Sequence, residues 1–269
     1  MNQINASFMS KPNKPIIGMV HLAGLPGSVH FDQPFSEVSL RAVEDARILV
    51  EAGFDAILFQ NTGDVPASEE GDEATVAFMT AVGMMIKDVC PIPVGVNVLM
   101  NGSKAAFAIA GAINAAFVRI KINTGAVVTS TGIVQGMPHE VLAFRKRINA
   151  GNILIFGDVH DRTSAPIGEF PLHIQADLAI RHGGVDALVI SGYDVADTQA
   201  RLKMLREHFP ESYLITGGGA NTENLAEFID LSDAIIVGSN VKTGGGFLDP
   251  VDPVKAKNLM DAARDMRGG

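Results

Sequence analysis

The sequence is short of cysteine, of basic charge and of long apolar runs, and each shortage removes a class of protein. One cysteine in 269 residues can form no internal disulfide and no cysteine-ligated zinc or iron–sulfur centre. A reducing, cytoplasmic setting is the expectation that follows. Lys and Arg number 21 against 30 Asp and Glu, a net charge of −9. That balance argues against general nucleic-acid binding, which relies on a basic surface. A phosphorylated small molecule stays compatible, because a local site can be positive on an acidic protein. The most apolar stretch, residues 105–118, is interrupted by Gly111 and Asn114 and is too short to span a bilayer. Residues 1–14 are polar and lack the apolar core of a signal peptide. They read as a flexible tail ahead of one domain over 15–269, in a protein expected to be soluble.

What is present is material for a large core, 47% hydrophobic residues, arranged with two alternating periods. Short runs rich in Val and Ile read as strands: Ile16–His21, Ala56–Gln60, Pro93–Val98, Phe117–Ile122, Ile153–His160, Ala187–Ser191, Tyr213–Thr216 and Ala234–Val237. Between them lie helical patterns: Ser36–Ala52, Glu73–Val89, Pro138–Ala150, Leu172–His182, Asp197–Phe209, Asn221–Ile229 and Pro253–Met266. Residues 105–118 read as a core helix running into a strand. Eight units averaging about 34 residues match a (β/α)8 TIM barrel. An open doubly wound sheet is the rival, but it predicts a glycine fingerprint after the first strand. That strand ends Met19-Val20-His21-Leu22 instead. The longest non-periodic stretches, 23–34, 61–71, 123–136 and 161–171, all follow strands, where barrel enzymes keep their chemistry.

Candidate site residues fall at those strand ends. Gly217, Gly218 and Gly219 close strand seven, and Gly238 and Ser239 close strand eight. Glycines let backbone amides approach a ligand, so these two loops read as an anion or phosphate cradle, with Asn221 opening the next helix. Gly244, Gly245 and Gly246 extend the same glycine-rich stretch. On strand five, Asp158 and His160 are two residues apart and are expected to share a face as an acid–base pair. A divalent metal held by His21, Asp158 and His160 is a less favoured alternative to a site with no cofactor. On strand four, Arg119, Lys121 and Asn123 share a face that should point into the barrel, away from Val118, Ile120 and Ile122. Lys121 there is a proton donor or Schiff-base nucleophile, or pairs with a carboxylate such as Asp158. His21, at the end of strand one, is expected as an acid–base group or substrate contact, and Asn97 and Ser191, at the ends of strands three and six, join Arg119 and Asn123 as expected substrate-binding groups. Residues 125–136, rich in Ser, Thr and Gly, could form a lid.

Several of these segments carry a family resemblance. The opening Lys14-Pro15-Ile16-Ile17-Gly18-Met19-Val20-His21-Leu22 with Leu25-Pro26-Gly27-Ser28 resembles the BtpA/SgcQ family. So do Pro93–Leu99, Asn123-Thr124-Gly125-Ala126, Asp158-Val159-His160 with Ala165-Pro166-Ile167-Gly168, and Val237-Gly238-Ser239. The chain departs from the expected pattern at Lys121, where an asparagine or similar residue is anticipated. The resemblance implies a TIM barrel of the phosphate-binding type. The family takes one name from photosystem I biogenesis in cyanobacteria and the other from a gene cluster for sugar uptake and metabolism.

The reading that follows is an enzyme of carbohydrate metabolism acting on a small phosphorylated metabolite such as a sugar phosphate, by isomerase, epimerase or aldol-type lyase chemistry. A homo-oligomer is the expected assembly. The competing reading is a non-catalytic assembly factor, which predicts a blocked mouth with Lys121 and Asp158 paired out of solvent. A metal-dependent hydrolase is the third.

Overall fold

The computed structural model describes residues 8–9, 13–168 and 170–267. Its eight parallel strands are β1 (Ile16–His21), β2 (Ala56–Gln60), β3 (Val94–Asn97), β4 (Phe117–Ile120), β7 (Leu154–His160), β9 (Ala187–Ile190), β10 (Leu214–Thr216) and β11 (Ala234–Val237). They close into a barrel in which β1 pairs with both β2 and β11. Helices return the chain between strands: α1 (Phe35–Ala52), α2 (Glu73–Val89), α3 (Ser103–Ala112), α4 (Pro138–Arg147), α5 (Leu172–Arg181), α6 (Val195–His208), α7 (Leu225–Leu231) and α8 (Pro253–Arg267). The fold is the expected (β/α)8 barrel. Among the described residues, no helix is long and apolar enough to cross a membrane.

Alternation along the strands produces two separate apolar layers. One set, including Val20, Ile57, Val96, Val118, Ile155 and Ile190, packs outward against the helices. The other, including Ile17, Leu58, Phe117, Phe156, Val189, Ile215 and Ile236, fills the barrel. Phe117 stacks on Phe156 with ring centroids 4.3 Å apart, and Phe8 stacks on Phe117 from the other side at 5.8 Å. Phe117 and Phe156 come from the N-terminal halves of β4 and β7, Phe8 from the segment ahead of β1, and together they plug the base. The sequence reading of 1–14 as a tail falls mainly outside the described residues; of those described, Phe8 is buried at 7% exposure. Gly95 makes room for the stack, since a Cβ there would lie 2.1 Å from the Phe117 ring. The interior is therefore full below and open only above.

Two stretches read as loops have structure of their own. Residues 126–135 form a hairpin of β5 (Ala126–Thr129) and β6 (Gly132–Gln135), and β8 (Ala165–Pro166) pairs with β5 to make a three-stranded antiparallel sheet. The hairpin signal was present as two β-branched runs. It was masked because the turn is Ser130-Thr131 and not the usual Asn-Gly type, with Gly132 supplying a φ of 119°. Helix α7 starts at Leu225, not Asn221, because Asn221 and Asn224 hold each other in a turn: Oδ1 of Asn221 accepts from the Asn224 amide at 3.0 Å.

The packing of Gly95 against Phe117 can be tested by urea unfolding. Gly95→Ala should destabilise the barrel by about 1–3 kcal/mol, and adding Phe117→Leu should recover part of that loss. An unfolding midpoint that does not move would contradict this packing.

Candidate functional site

The barrel opens at the carboxyl ends of its strands into a cavity of about 400 Å³. Its walls bring together His21, Gln60, Thr62, Arg119, Lys121, Asp161, Arg162, Thr163, Ser191, Gly217, Gly218, Gly219, Gly238 and Ser239, with the hairpin tip Ser130 and Phe247 at the rim. The loops forming one side are tied by a buried network. Asn61 accepts from the Leu99 amide (2.7 Å) and donates to Asp64 (2.9 Å), and Asp64 accepts from the Leu25 amide (2.8 Å). Burial raises the Asp64 carboxyl above its ordinary range, against those hydrogen bonds.

Two ion pairs make the floor. Arg119 grips Asp158 with both ends of its fork, Nε to Oδ1 and Nη2 to Oδ2, each 2.8 Å. The Asp158 side chain is 1% exposed; burial pushes its carboxyl up while the guanidinium pulls it down. Lys121 Nζ lies 2.9 Å from Asp161 Oδ2 and 3.1 Å from the Thr163 hydroxyl. Thr163 also donates to Asp161 from Oγ1 (2.7 Å) and from its amide (3.1 Å). Burial alone would raise the Asp161 carboxyl; Lys121 and Thr163 outweigh it and hold it below the ordinary value. Lys121 thus pairs with Asp161, not with Asp158 as the sequence suggested, because Asp158 already belongs to Arg119.

At the opposite end, Gly218 and Gly219 adopt φ of 152° and 86°, a backbone that favours glycine. Their amides make no hydrogen bond to the described residues. A Cβ on Gly218 would lie 3.6 Å from Nη2 of Arg162. That arginine has no hydrogen-bond or ion-pair partner among the described residues. Asp161, Arg162 and Thr163 were missed as site residues, although the charged run directly after the strand-five motif was a usable signal.

His21 lines the same cavity. Its Nδ1 is 3.0 Å from the Phe247 carbonyl, an acceptor only, so Nδ1 carries the proton and Nε2 is left as an acceptor. Its pKa falls to about 3, chiefly from burial and then from the Lys242 ammonium, with the Phe247 carbonyl opposing. Lys242 is fully buried and paired with Asp45 at 3.1 Å, and Asp45 also accepts from the Val251 amide at 2.8 Å. This pair anchors the strap 242–251 that carries Phe247 over the cavity.

Several expected placements do not hold. Asp158 and His160 do not share a face: a bulge between them pairs Asp158 with the inward Val189 but His160 with the outward Ile190. His160 instead donates from Nδ1 to the Ser191 carbonyl (2.8 Å) and packs edge-on to Tyr193. The metal triad of His21, Asp158 and His160 is therefore not assembled, and no group of three or more metal-ligating side chains is found among the described residues. Asn123 turns away from the mouth, buried, with Nδ2 3.4 Å from the Gly183 carbonyl, because β4 ends at Ile120 and its alternation stops there. Asn97 faces inward but lies beneath the cavity wall, donating to the Arg119 carbonyl at 2.8 Å. Gly244–Gly246 wrap a carboxylate of their own, the Gly246 amide donating to Asp249 at 2.8 Å. Asn221 opens a turn and not a helix.

Comparison with known proteins adds four findings. Residues 12–265 match the BtpA family. The chain is 37% identical to the uncharacterized protein TK2179 of Thermococcus kodakarensis, across 96% of this chain and 98% of that one. It is 29% identical to the photosystem I biogenesis protein BtpA of Synechocystis, across 93% and 88%. Among solved structures, N-(5'-phosphoribosyl)anthranilate isomerase from Pyrococcus furiosus superposes with a TM-score of 0.57 at 12% identity, covering 93% of this chain and 98% of that one. The last likeness is one of fold.

The state of His21 has a measurable consequence. Unfolded, its imidazole takes up a proton near pH 6.5, whereas the folded chain refuses it until about pH 3. The residue therefore lowers stability as pH falls through that window, by up to about 1.4 kcal/mol per pH unit, and adds no pH dependence above it. Nitrogen NMR at pH 5 should show a neutral ring protonated at Nδ1. An imidazolium signal titrating near pH 6.5 would contradict the assignment.

Proposed function

The chain belongs to the BtpA family, and from that premise we propose that its barrel mouth binds a small phosphorylated metabolite and acts on it as an isomerase, epimerase or aldol-type lyase. The observation that carries the reading is Arg162. A guanidinium unmatched among the described residues stands beside Gly218, where the amides of Gly218 and Gly219 have no partner among those residues, in a protein whose net charge is −9. Cationic forks and unpaired amides are what a phosphate requires. Gly217, Gly218, Gly219, Gly238 and Ser239, with Arg162, hold the phosphate. The body then extends toward His21, Lys121 and Asp161. The neutral Nε2 of His21 accepts a hydrogen bond from a substrate hydroxyl, the Lys121–Asp161 pair moves the proton, and Ser191 and Gln60 orient the body. Arg119 and Asp158 hold the floor rigid. The isomerase from Pyrococcus furiosus bears a name that describes the same ligand head and reaction class, and it shares the fold.

A second reading, a non-catalytic assembly factor, draws on a different observation. The outer face of the hairpin exposes Val128 at 47% and Ile133 at 59%, and one relative is named for biogenesis of photosystem I. The open cavity and the Lys121–Asp161 pairing favour the enzyme.

Isomerases, epimerases and aldol-type lyases of this kind all move a proton on carbon next to a carbonyl. Incubation with aldose and ketose phosphates in deuterated water should therefore show exchange of a carbon-bound proton. Lys121→Met should slow it about 100-fold or more. Arg162→Ala, on an exposed side chain, should weaken binding of inorganic phosphate about 10–100-fold by calorimetry. Absence of exchange with all sugar phosphates would favour the assembly factor, and an unchanged phosphate affinity would remove Arg162 from the site.

A further inference from the structure

The cations around the cavity are not equivalent. Arg119, Lys121 and Arg162 border it. Arg119 is saturated by Asp158. Lys121 is saturated by Asp161, which in turn is pinned by the hydroxyl and the amide of Thr163. Only Arg162, among the described residues, borders the cavity without a counter-charge. Although Arg162 follows Asp161 in the chain, its guanidinium lies beside Gly218, whereas the Asp161 carboxylate is held at Lys121.

A ligand with two anionic groups would put its second one against the floor. There it would meet a carboxylate, Asp161, whose side chain is 6% exposed and held by three donor groups. That carboxylate cannot swing aside without giving up Lys121 and Thr163 together. Repulsion of this kind discriminates between ligands more sharply than added attraction does. The other polar groups facing the body, on Gln60, Thr62 and Ser191, are uncharged and suit hydroxyls.

We propose that the site selects phosphate monoesters whose remaining body is an uncharged polyol, and that Asp161 enforces this choice by excluding a second anion. The inference rests on the phosphate-binding reading above and narrows its substrate class. Sugar bisphosphates and phosphorylated sugar acids are rejected at the Lys121 end, although a cation stands there.

Three probes of one chain length separate the cases: ribitol 5-phosphate, ribitol 1,5-bisphosphate and 5-phosphoribonate. They differ at one terminal carbon only and carry no carbonyl, so none turns over as a sugar phosphate would. Calorimetry on the full chain should show the monophosphate binding more tightly than inorganic phosphate, and about tenfold more tightly than either probe with a second anionic group. In Asp161→Asn, checked for folding by circular dichroism, Lys121 is freed and that preference should vanish or reverse. Lys121→Met leaves Asp161 unopposed and should widen it. Equal or tighter binding of the bisphosphate or the acid by the unmodified chain overturns the proposal. So does a preference unaltered in both variants, or a monophosphate bound no better than inorganic phosphate. Failure of inorganic phosphate itself to bind overturns the phosphate reading instead, and this inference with it.

Discussion

A charge withdrawn from water has to be met by an opposite charge or by hydrogen bonds, and the upper half of this barrel is organised around that requirement. Arg119 and Asp158 join β4 to β7. Lys121 and Asp161 join the segments just beyond the same two strands. Lys242 and Asp45 join the C-terminal strap to α1. Each pair links segments distant in sequence, so the geometry of the mouth is fixed by electrostatic need as well as by packing. The same pairs set the character of the cavity. The floor cations are matched by carboxylates, and burial, reinforced by the Lys242 ammonium, keeps the His21 imidazole uncharged.

Below that layer the constraint is volume. Phe8, Phe117 and Phe156 stack through the base of the barrel, and Gly95 yields the space that Phe117 occupies. With the base filled by these rings, the barrel opens at the carboxyl ends of the strands, where loops of any chemistry can be mounted without disturbing the core. The hairpin 126–135 uses this freedom. It pairs with β8, buries Val134 and brings Ser130 to the cavity edge.

The barrel was legible in the sequence because period-two apolar runs and period-3.6 helices are strong signals over many residues. Strand boundaries such as Ile16–His21 and Ala56–Gln60 follow directly from that pattern. The site was legible in part. Strand-end position predicts which loops reach the mouth, which is why His21, Lys121, Ser191 and the cradle glycines all border the cavity. It cannot register a bulge, and one extra residue between Asp158 and His160 is enough to send His160 to Tyr193. Nor can glycine content tell an external anion from an internal one: Gly218 and Gly219 keep free amides, whereas Gly246 spends its amide on Asp249. The charged run after strand five marked Arg162 only as a polar loop residue; that its guanidinium has no partner among the described residues is a property that only three dimensions reveal.

On the proposed reading, the mouth has one anion seat at the glycine end, above a floor closed to anions. Anomalous diffraction from crystals grown with tungstate, a phosphate-sized and strongly scattering anion, locates such a seat. One peak is expected in the barrel mouth, between Gly218, Gly219 and Arg162. A peak beside Lys121, or a mouth with no peak while tungstate binds elsewhere on the chain, would contradict it.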